Sequence, residues 1–101
     1  MPLFRKPSTQ DLEDHFFGSG AFSYGWIQLV DWNDGHFPVT LYDTAKEEAP
    51  VRVTEEVFIE GIKKYAETLS DRSFDDLIED MDAVDVDNVF QLILFGEFRY
   101  A

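Results

Sequence analysis

The chain's second half carries apolar residues at the spacing of a helix. Apolar side chains recur every three or four residues along one stretch: Phe58, Ile62, Tyr65 and Leu69. This spacing places them on one helical face. Thr54 stands where an N-cap is needed, and Glu55 and Glu56 follow where acids favour the helix dipole. The pattern predicts a helix over about 55–69.

Two further helices are predicted after it. Ser73 can cap a short acidic helix over 74–81, and Asp85 or Asp87 can begin a last helix that ends near residue 95. This last segment is apolar on nearly all sides, which predicts a position at the centre of the domain. Short apolar runs are ambiguous by period, so residues 86–95 also fit a strand.

The first half has the pattern of a small sheet. Aromatic and β-branched residues predict strands at about 21–31, 37–43 and 51–53, with Gly25 marking a bulge or a close approach. The sequence Asn33-Asp34-Gly35 predicts a chain reversal, because Asn and Gly tolerate the positive φ of tight turns.

The N-terminal residues predict an arm followed by a helix. Two prolines bracket residues 1–7, and Ser8 or Thr9 can cap a short helix that Gly18 and Gly20 end. With 101 residues the chain predicts one α+β domain, in which a three-stranded antiparallel sheet packs on three to four helices. The predicted core is Trp26, Leu29, Leu41, Val53, Phe58, Ile62, Leu69, Leu77, Val89, Phe90 and Ile93.

The charge of the chain restricts its possible partners more than the rest of its composition does. The chain has 21 acidic and 8 basic residues, a formal net charge of −13. Between residues 71 and 87, Arg72 stands among eight acids, so this segment holds a net charge of −7. Those acids are Asp71, Asp75, Asp76, Glu79, Asp80, Asp82, Asp85 and Asp87. Such a field repels nucleic acid and anionic membranes and attracts basic protein surfaces.

Composition excludes some classes of site and of location. The chain has no cysteine, which excludes disulfides and thiolate chemistry. No apolar leader or bilayer-length apolar run is present, and together these features predict a cytoplasmic protein. His15 and His36 match no metal or catalytic spacing, and neither Ser19 nor Ser23 lies in a nucleophile motif. We therefore expect no enzyme activity and no cofactor.

The acids at 80–87 raise the question of a cation site. Calcium loops of the EF-hand type place oxygen ligands at alternate positions around a glycine turn and end on a glutamate. Counted from Asp80, the glycine position holds Asp85 and the last position holds Gln91, so that pattern fails. Two interpretations stay open: a weak, irregular cation site, or a solvated turn whose acids cap two helices. We expect no bound metal.

Within the predicted acidic helix, like charges stand four residues apart. Asp75 with Glu79, and Asp76 with Asp80, should each cost a few tenths of a kcal/mol. The chain tolerates these repulsions, which favours a functional negative field over a merely solvated face.

The chain resembles small acidic hypothetical proteins of actinobacterial phages and prophages. The resemblance rests on Tyr24-Gly-Trp26, on the turn at 31–35, on the capped helix after Val51-Arg-Val53, and on the ending from Val89 to Tyr100, most specifically from Gln91 onward. It brings no catalytic residues, but it implies a phage accessory protein that blocks a host protein.

Two functions are therefore expected as alternatives. In the first, a non-enzymatic protein binds a basic surface of a host protein through the acids of segment 71–87, in the manner of a DNA mimic, and the target is a defence or nucleic-acid-processing factor. In the second, the chain self-associates as a homodimer through aromatic rings, and its acidity serves solubility. The expected interface rings are Trp32, Phe37, Phe98 and Tyr100.

Overall fold

Four helices and a three-stranded antiparallel sheet form the described part of the chain, which in this computed structural model comprises residues 7–31, 33–45 and 49–99. The α+β architecture predicted from the sequence is confirmed. In chain order the elements are α1 (Thr9–Gly18), β1 (Ile27–Val30), β2 (Val39–Asp43), β3 (Val51–Val53), α2 (Glu55–Glu67), α3 (Phe74–Glu79) and α4 (Ala83–Phe95).

The sheet has the order β1-β2-β3, and both pairings are antiparallel. Leu41 on the central strand lies opposite Leu29 on one side and Val51 on the other. Val39, Leu41 and Val53 are buried on the face towards α2 and α4, because alternate residues of a strand share one face. The helices therefore cover one side of the sheet, as the alternating pattern of β2 predicts.

Phenylalanine rings fill the centre of the core. Phe16 of α1 is fully buried and has five other rings around it, with centroids 4.8–5.8 Å from its own. These rings are Phe17, Phe22, Phe37, Phe58 and Phe90. All five pairs meet edge to face, the geometry that aromatic quadrupoles favour.

The predicted core is largely confirmed. Its buried members are Leu41, Val53, Phe58, Ile62, Leu77, Val89 and Phe90. Trp26, Leu29, Leu69 and Ile93 are half-buried and pack against the core from outside.

The first strand is shorter than predicted. Residues Ala21–Tyr24 form a 3-10 turn, and Gly25 ends it with a left-handed φ of +82° instead of forming a bulge. Of the aromatic residues in this turn, Phe22 packs against the core and Tyr24 is 48% exposed. By contrast, the reversal at 33–35 is confirmed, since Asn33, Asp34 and Gly35 all have positive φ.

The last helix settles the ambiguity at 86–95, where the strand alternative is wrong. α4 begins at Ala83, earlier than predicted, because Asp82 caps it: the Asp82 side chain accepts a hydrogen bond from Asp85 N at 2.8 Å.

α2 ends at Glu67 and α3 at Glu79, each two residues before its predicted end. Of the predicted arm, residues 1–6 lie outside the described residues.

Candidate functional site, an acidic surface

Six of the eight predicted binding carboxylates lie exposed around α3. They are Asp71, Asp75, Asp76, Glu79, Asp80 and Asp82, and we call this set the acidic surface. α3 turns Phe74, Leu77 and Ile78 towards the core. The intervening acids consequently face solvent, as the period of a short amphipathic helix requires.

Asp85, also predicted as a partner-binding residue, does not belong to that surface because the fold buries it. Its side chain is only 7% exposed, and Arg72 holds it through two parallel hydrogen bonds, from Nη1 to Oδ1 at 2.9 Å and from Nη2 to Oδ2 at 2.8 Å. The Tyr65 hydroxyl donates a further bond to Oδ1 at 2.8 Å. A buried carboxylate needs such donors because burial removes its hydration.

This cluster connects four segments of the fold. Arg72 lies in the loop between α2 and α3, and its Nη2 also donates to the Asp80 carbonyl oxygen at 2.7 Å. Tyr65 belongs to α2 and Asp85 to α4. Arg72 therefore holds the end of α3 in place. Its two bonds to a carboxylate go to Asp85, while Asp76 and Asp82 of the acidic surface interact with its charge without a hydrogen bond.

The protonation states follow from these contacts. Burial by itself raises the pKa of Asp85, but the hydrogen bonds from Arg72 and Tyr65 outweigh it, so that the pKa lies below its ordinary value. Burial raises the pKa of Tyr65, and the bond to Asp85 raises the pKa of Arg72. At neutral pH the cluster is thus an ionised pair with a neutral tyrosine.

Asp87, also predicted as a partner-binding residue, is likewise buried and lies apart from the acidic surface. Its carboxylate accepts hydrogen bonds from the Trp26 indole N–H and from Gln91 Nε2, the latter at 2.9 Å. Gln91 in turn accepts from the backbone N–H of Arg99 at 2.7 Å. Asp87 therefore joins the start of β1 to α4 and the C-terminal segment.

Two members of the acidic surface also cap helices. Asp76 Oδ2 accepts from Ser73 N at 2.9 Å while Ser73 Oγ accepts from Asp76 N, which forms a capping box at the start of α3. The backbone bond from Ser73 lowers the pKa of Asp76. Asp82 caps α4 in the same reciprocal way, with Asp85.

Of the two like-charge pairs predicted within the acidic helix, one lies within a helix in the structure. Asp75 and Glu79 both lie in α3, four residues apart. Asp80 ends the helix with φ −148° and ψ 86°, so Asp76 and Asp80 do not form a helical pair.

Of the aromatic residues predicted to form a dimer interface, the two that the structure describes lie in different environments. Phe37 is half-buried against Phe16 in the core, with ring centroids 5.0 Å apart. Phe98 is 46% exposed and touches Tyr65 edge to face. Trp32 and Tyr100 lie outside the described residues.

The acids at 80–87 do not converge on a common point. Asp82 caps α4, Asp85 binds Arg72, and Asp87 faces Trp26. Among the described residues no group of three or more histidine or acidic side chains is arranged to hold a metal ion.

The two histidines each join α1 to another part of the fold, which the sequence did not indicate. His15 Nε2 lies 2.7 Å from the Ile78 carbonyl oxygen at the end of α3. His36 Nδ1 lies 3.1 Å from both carboxylate oxygens of the buried Glu13. α1 is thereby held to α3 and to the loop that precedes β2.

Comparison with protein-family models, curated proteins and solved structures found no match. No helix within residues 7–31, 33–45 and 49–99 combines the length and apolar character of a membrane span. The arrangement itself offers an array of exposed carboxylates on a short helix that is fixed at both ends. Chemically, such an array can attract and hold cationic groups.

Proposed function

We propose that this protein is a non-enzymatic binding protein whose acidic surface engages a basic surface on another protein. The observation that carries the proposal is the position of Arg72. The basic residue of this segment bonds to buried Asp85, while six carboxylates around it face solvent.

The fixed ends of α3 support the proposal further. The capping box at Ser73 orders the start of the helix, and the Arg72 bond to the Asp80 carbonyl orders its end. A preordered array loses less conformational entropy on binding than a mobile acidic loop does. The acidic surface therefore has both the charge and the rigidity that a binding surface needs.

The expected mechanism is electrostatic capture. Clustered carboxylates accelerate encounter with a basic patch, and the effect declines as salt shortens the reach of the field. A protein that binds DNA presents such a patch, so the acidic surface would compete with the phosphates for it. The resemblance to phage proteins would make that partner a host protein involved in defence or nucleic-acid processing.

The test compares two variants with the same loss of charge. Asp71→Asn with Asp75→Asn removes two charges from the acidic surface, whereas Asp31→Asn with Asp34→Asn removes two exposed charges from the β1–β2 turn. Each variant, and the unaltered protein, is immobilised and exposed to bacterial lysate at about 50 mM and about 500 mM salt.

We expect the unaltered protein and the turn variant to retain the same basic proteins at low salt, and the Asp71/Asp75 variant to retain less of them. Duplex DNA should release any captured DNA-binding protein. Equal retention by all three proteins would contradict the role of the acidic surface. If light scattering shows a dimer at both salt concentrations and no basic protein is captured, self-association is the better explanation.

A further inference from the structure

A second surface feature lies between α1 and the turn that joins β1 to β2. The two elements border a pocket of about 470 Å³, within the range of about 300–1,000 Å³ found for ligand pockets. Gln10, Glu13 and Asp14 of α1 line it together with His36 of the turn, and Phe17 adds apolar surface. Among the described residues no lysine or arginine lines this α1 pocket. With two formal carboxylate charges, the pocket is therefore negative whichever protonation state His36 has.

His36 is fixed in the pocket through both its backbone and its ring. Its backbone N–H donates to the Asn33 carbonyl oxygen at 3.1 Å, and its own carbonyl oxygen accepts from Asn33 Nδ2 at 3.1 Å. The ring Nδ1 lies 3.1 Å from both oxygens of the buried Glu13 carboxylate. An ionised carboxylate only accepts hydrogen bonds, so Nδ1 carries the proton and the neutral ring has its lone pair on Nε2. Nε2 of this exposed ring is thus an oriented acceptor.

Asp14 supplies a second acceptor. Its Oδ1 accepts from Gln10 Nε2 at 2.8 Å, one helical turn earlier on α1. This bond orients the carboxylate and leaves it able to accept more, since an ionised carboxylate has about four lone-pair sites. Residues 10, 14 and 17 recur at helical spacing, so they share the face of α1 that borders the pocket.

These features favour an organic cation over a metal ion. Within residues 7–31, 33–45 and 49–99 no three histidine or acidic side chains are arranged to hold a metal. The pocket is also far larger than a bare ion, and the half-buried Phe17 gives it an apolar wall. An ammonium or guanidinium group presents several N–H donors, which suit the Asp14 carboxylate and His36 Nε2 together. An alkyl stem on that group can lie against Phe17 while its charged head stays polar.

We propose that the α1 pocket binds a small alkylammonium or alkylguanidinium ion. The Asp14 carboxylate and His36 Nε2 accept its N–H groups, and Phe17 covers the first carbons of its stem. Glu13 keeps the His36 ring in the required orientation. None of these residues belongs to the acidic surface, so this inference does not depend on the proposed function.

The probes are n-butylguanidinium, tetramethylammonium and n-butanol. Tetramethylammonium has the charge without N–H donors, and n-butanol has the stem without the charge. Each is titrated into the ¹⁵N-labelled full chain at about pH 7.5, above the ordinary pKa of histidine, and about 150 mM salt. We expect n-butylguanidinium to shift the amides of Asp14, Gly18, Gly35 and His36. Its dissociation constant should be roughly 1–10 mM and at least about tenfold below that of either control.

Two pairs of variants test the pocket. Asp14→Asn removes its exposed carboxylate, and Asp11→Asn removes another exposed charge of α1 that does not line the pocket. Gly18→Trp fills the pocket, because a Cβ at Gly18 would meet no atom within 4 Å. Val84→Trp places the same ring on α4, where Val84 is 56% exposed. Binding should weaken about tenfold in Asp14→Asn and disappear in Gly18→Trp, whereas the two control variants should keep it.

The orientation of the His36 ring has its own measurement. The imidazole ¹⁵N shifts of the unaltered chain at about pH 7.5 should show a proton on Nδ1 and none on Nε2. A proton on Nε2 would remove the acceptor and overturn the proposal. In Glu13→Gln the amide oxygen can still accept from Nδ1, so the ring should keep these shifts and the chain should keep its binding.

Three further results would overturn the proposal. One is equal binding of tetramethylammonium and n-butylguanidinium, which would mean that the charge of the chain attracts any cation. Another is equal binding by Asp14→Asn and Asp11→Asn, a comparison that stays decisive if Gly18→Trp fails to fold. The third is tighter binding of the blocked peptide Ala-Lys-Ala than of n-butylguanidinium, which would assign the pocket to a protein side chain instead of a small ion. None of them bears on the acidic surface.

Discussion

Removal of the Arg72 side-chain charge tests the buried cluster that orders the acidic surface. Arg72→Gln leaves Asp85, with its 7% exposed side chain, without its two charge-assisted hydrogen bonds. Breaking a fully buried pair costs about 3–5 kcal/mol. Here the Arg72 side chain is 32% exposed, and Asp85 keeps its bonds from Tyr65 and from Asp82 N. We therefore expect a loss of about 1.5–3 kcal/mol, the range for hydrogen bonds to charged groups.

Urea denaturation followed by circular dichroism measures this loss. A chain of this size should have an m-value of roughly 1–1.5 kcal/mol per molar urea. The midpoint for Arg72→Gln should consequently fall by about 1–3 M at neutral pH. Arg52→Gln is the matched control, since Arg52 is exposed on β3, and its effect should stay within about 0.5 kcal/mol.

The loss should also depend on pH. The pKa of Asp85 in the folded protein lies below its ordinary value, so the ionised pair contributes stability above about pH 4 and loses it as the pH falls through the folded pKa. In Arg72→Gln the burial of Asp85 is no longer offset by the guanidinium. The difference between the variant and the unaltered protein should thus be greatest near neutral pH and shrink in acid.

Two results would refute this reasoning. One is a loss for Arg72→Gln that equals the loss for Arg52→Gln, which would mean that Arg72 contributes as a surface charge alone. The other is a loss that stays constant below about pH 4. A double-mutant cycle with Asp85→Asn gives the coupling directly, and about 1–3 kcal/mol is expected for residues in one network.

Neutralising two neighbouring carboxylates of α3 should change the stability of the folded protein in opposite directions. Asp76→Asn weakens the capping box with Ser73 and should lower the urea midpoint at neutral pH, an effect that fades in acid because the folded pKa of Asp76 is lowered. Asp75→Asn relieves a like-charge pair and should gain a few tenths of a kcal/mol; urea midpoints that move in the same direction for both would contradict these roles. Gly61→Ala improves helix propensity by about 1 kcal/mol but forces contact with Ile93, with an overpacking cost of about 1–3 kcal/mol. We expect a net loss of thermal stability that Ile93→Ala reduces in the double variant, and a more stable Gly61→Ala protein would disprove the close approach.

Local sequence signals predicted the elements correctly where the interactions that form an element join residues close together in the sequence. Thr54 caps α2 as predicted, its Oγ1 accepting from Val57 N at 3.2 Å, and the apolar stripe of that helix faces the core. The turn at 33–35 also follows from its residues, because Asn, Asp and Gly adopt positive φ at low cost. Such features involve neighbours within a few positions, so a sequence displays them directly.

The capping box of α4 shows a signal that was present but misassigned. Asp82 and Asp85 have the three-residue spacing of a reciprocal cap. In a segment with so many acids, several of them satisfied the same rule, and the prediction chose a later residue. The start of the 3-10 turn at Ala21 was missed for a related reason, since its aromatic residues are equally typical of a strand.

The sequence by itself determined the α+β class, the helical stripe of α2, and the net charge that makes a basic partner the best expectation. The tertiary structure alone decided which carboxylates reach solvent. Asp85 is buried because Arg72, thirteen positions away, supplies two donors, and Asp87 because Trp26, sixty-one positions away, supplies another. A charge pattern records how many carboxylates a segment has, whereas desolvation of a carboxylate depends on donors that only the folded chain brings within hydrogen-bond distance.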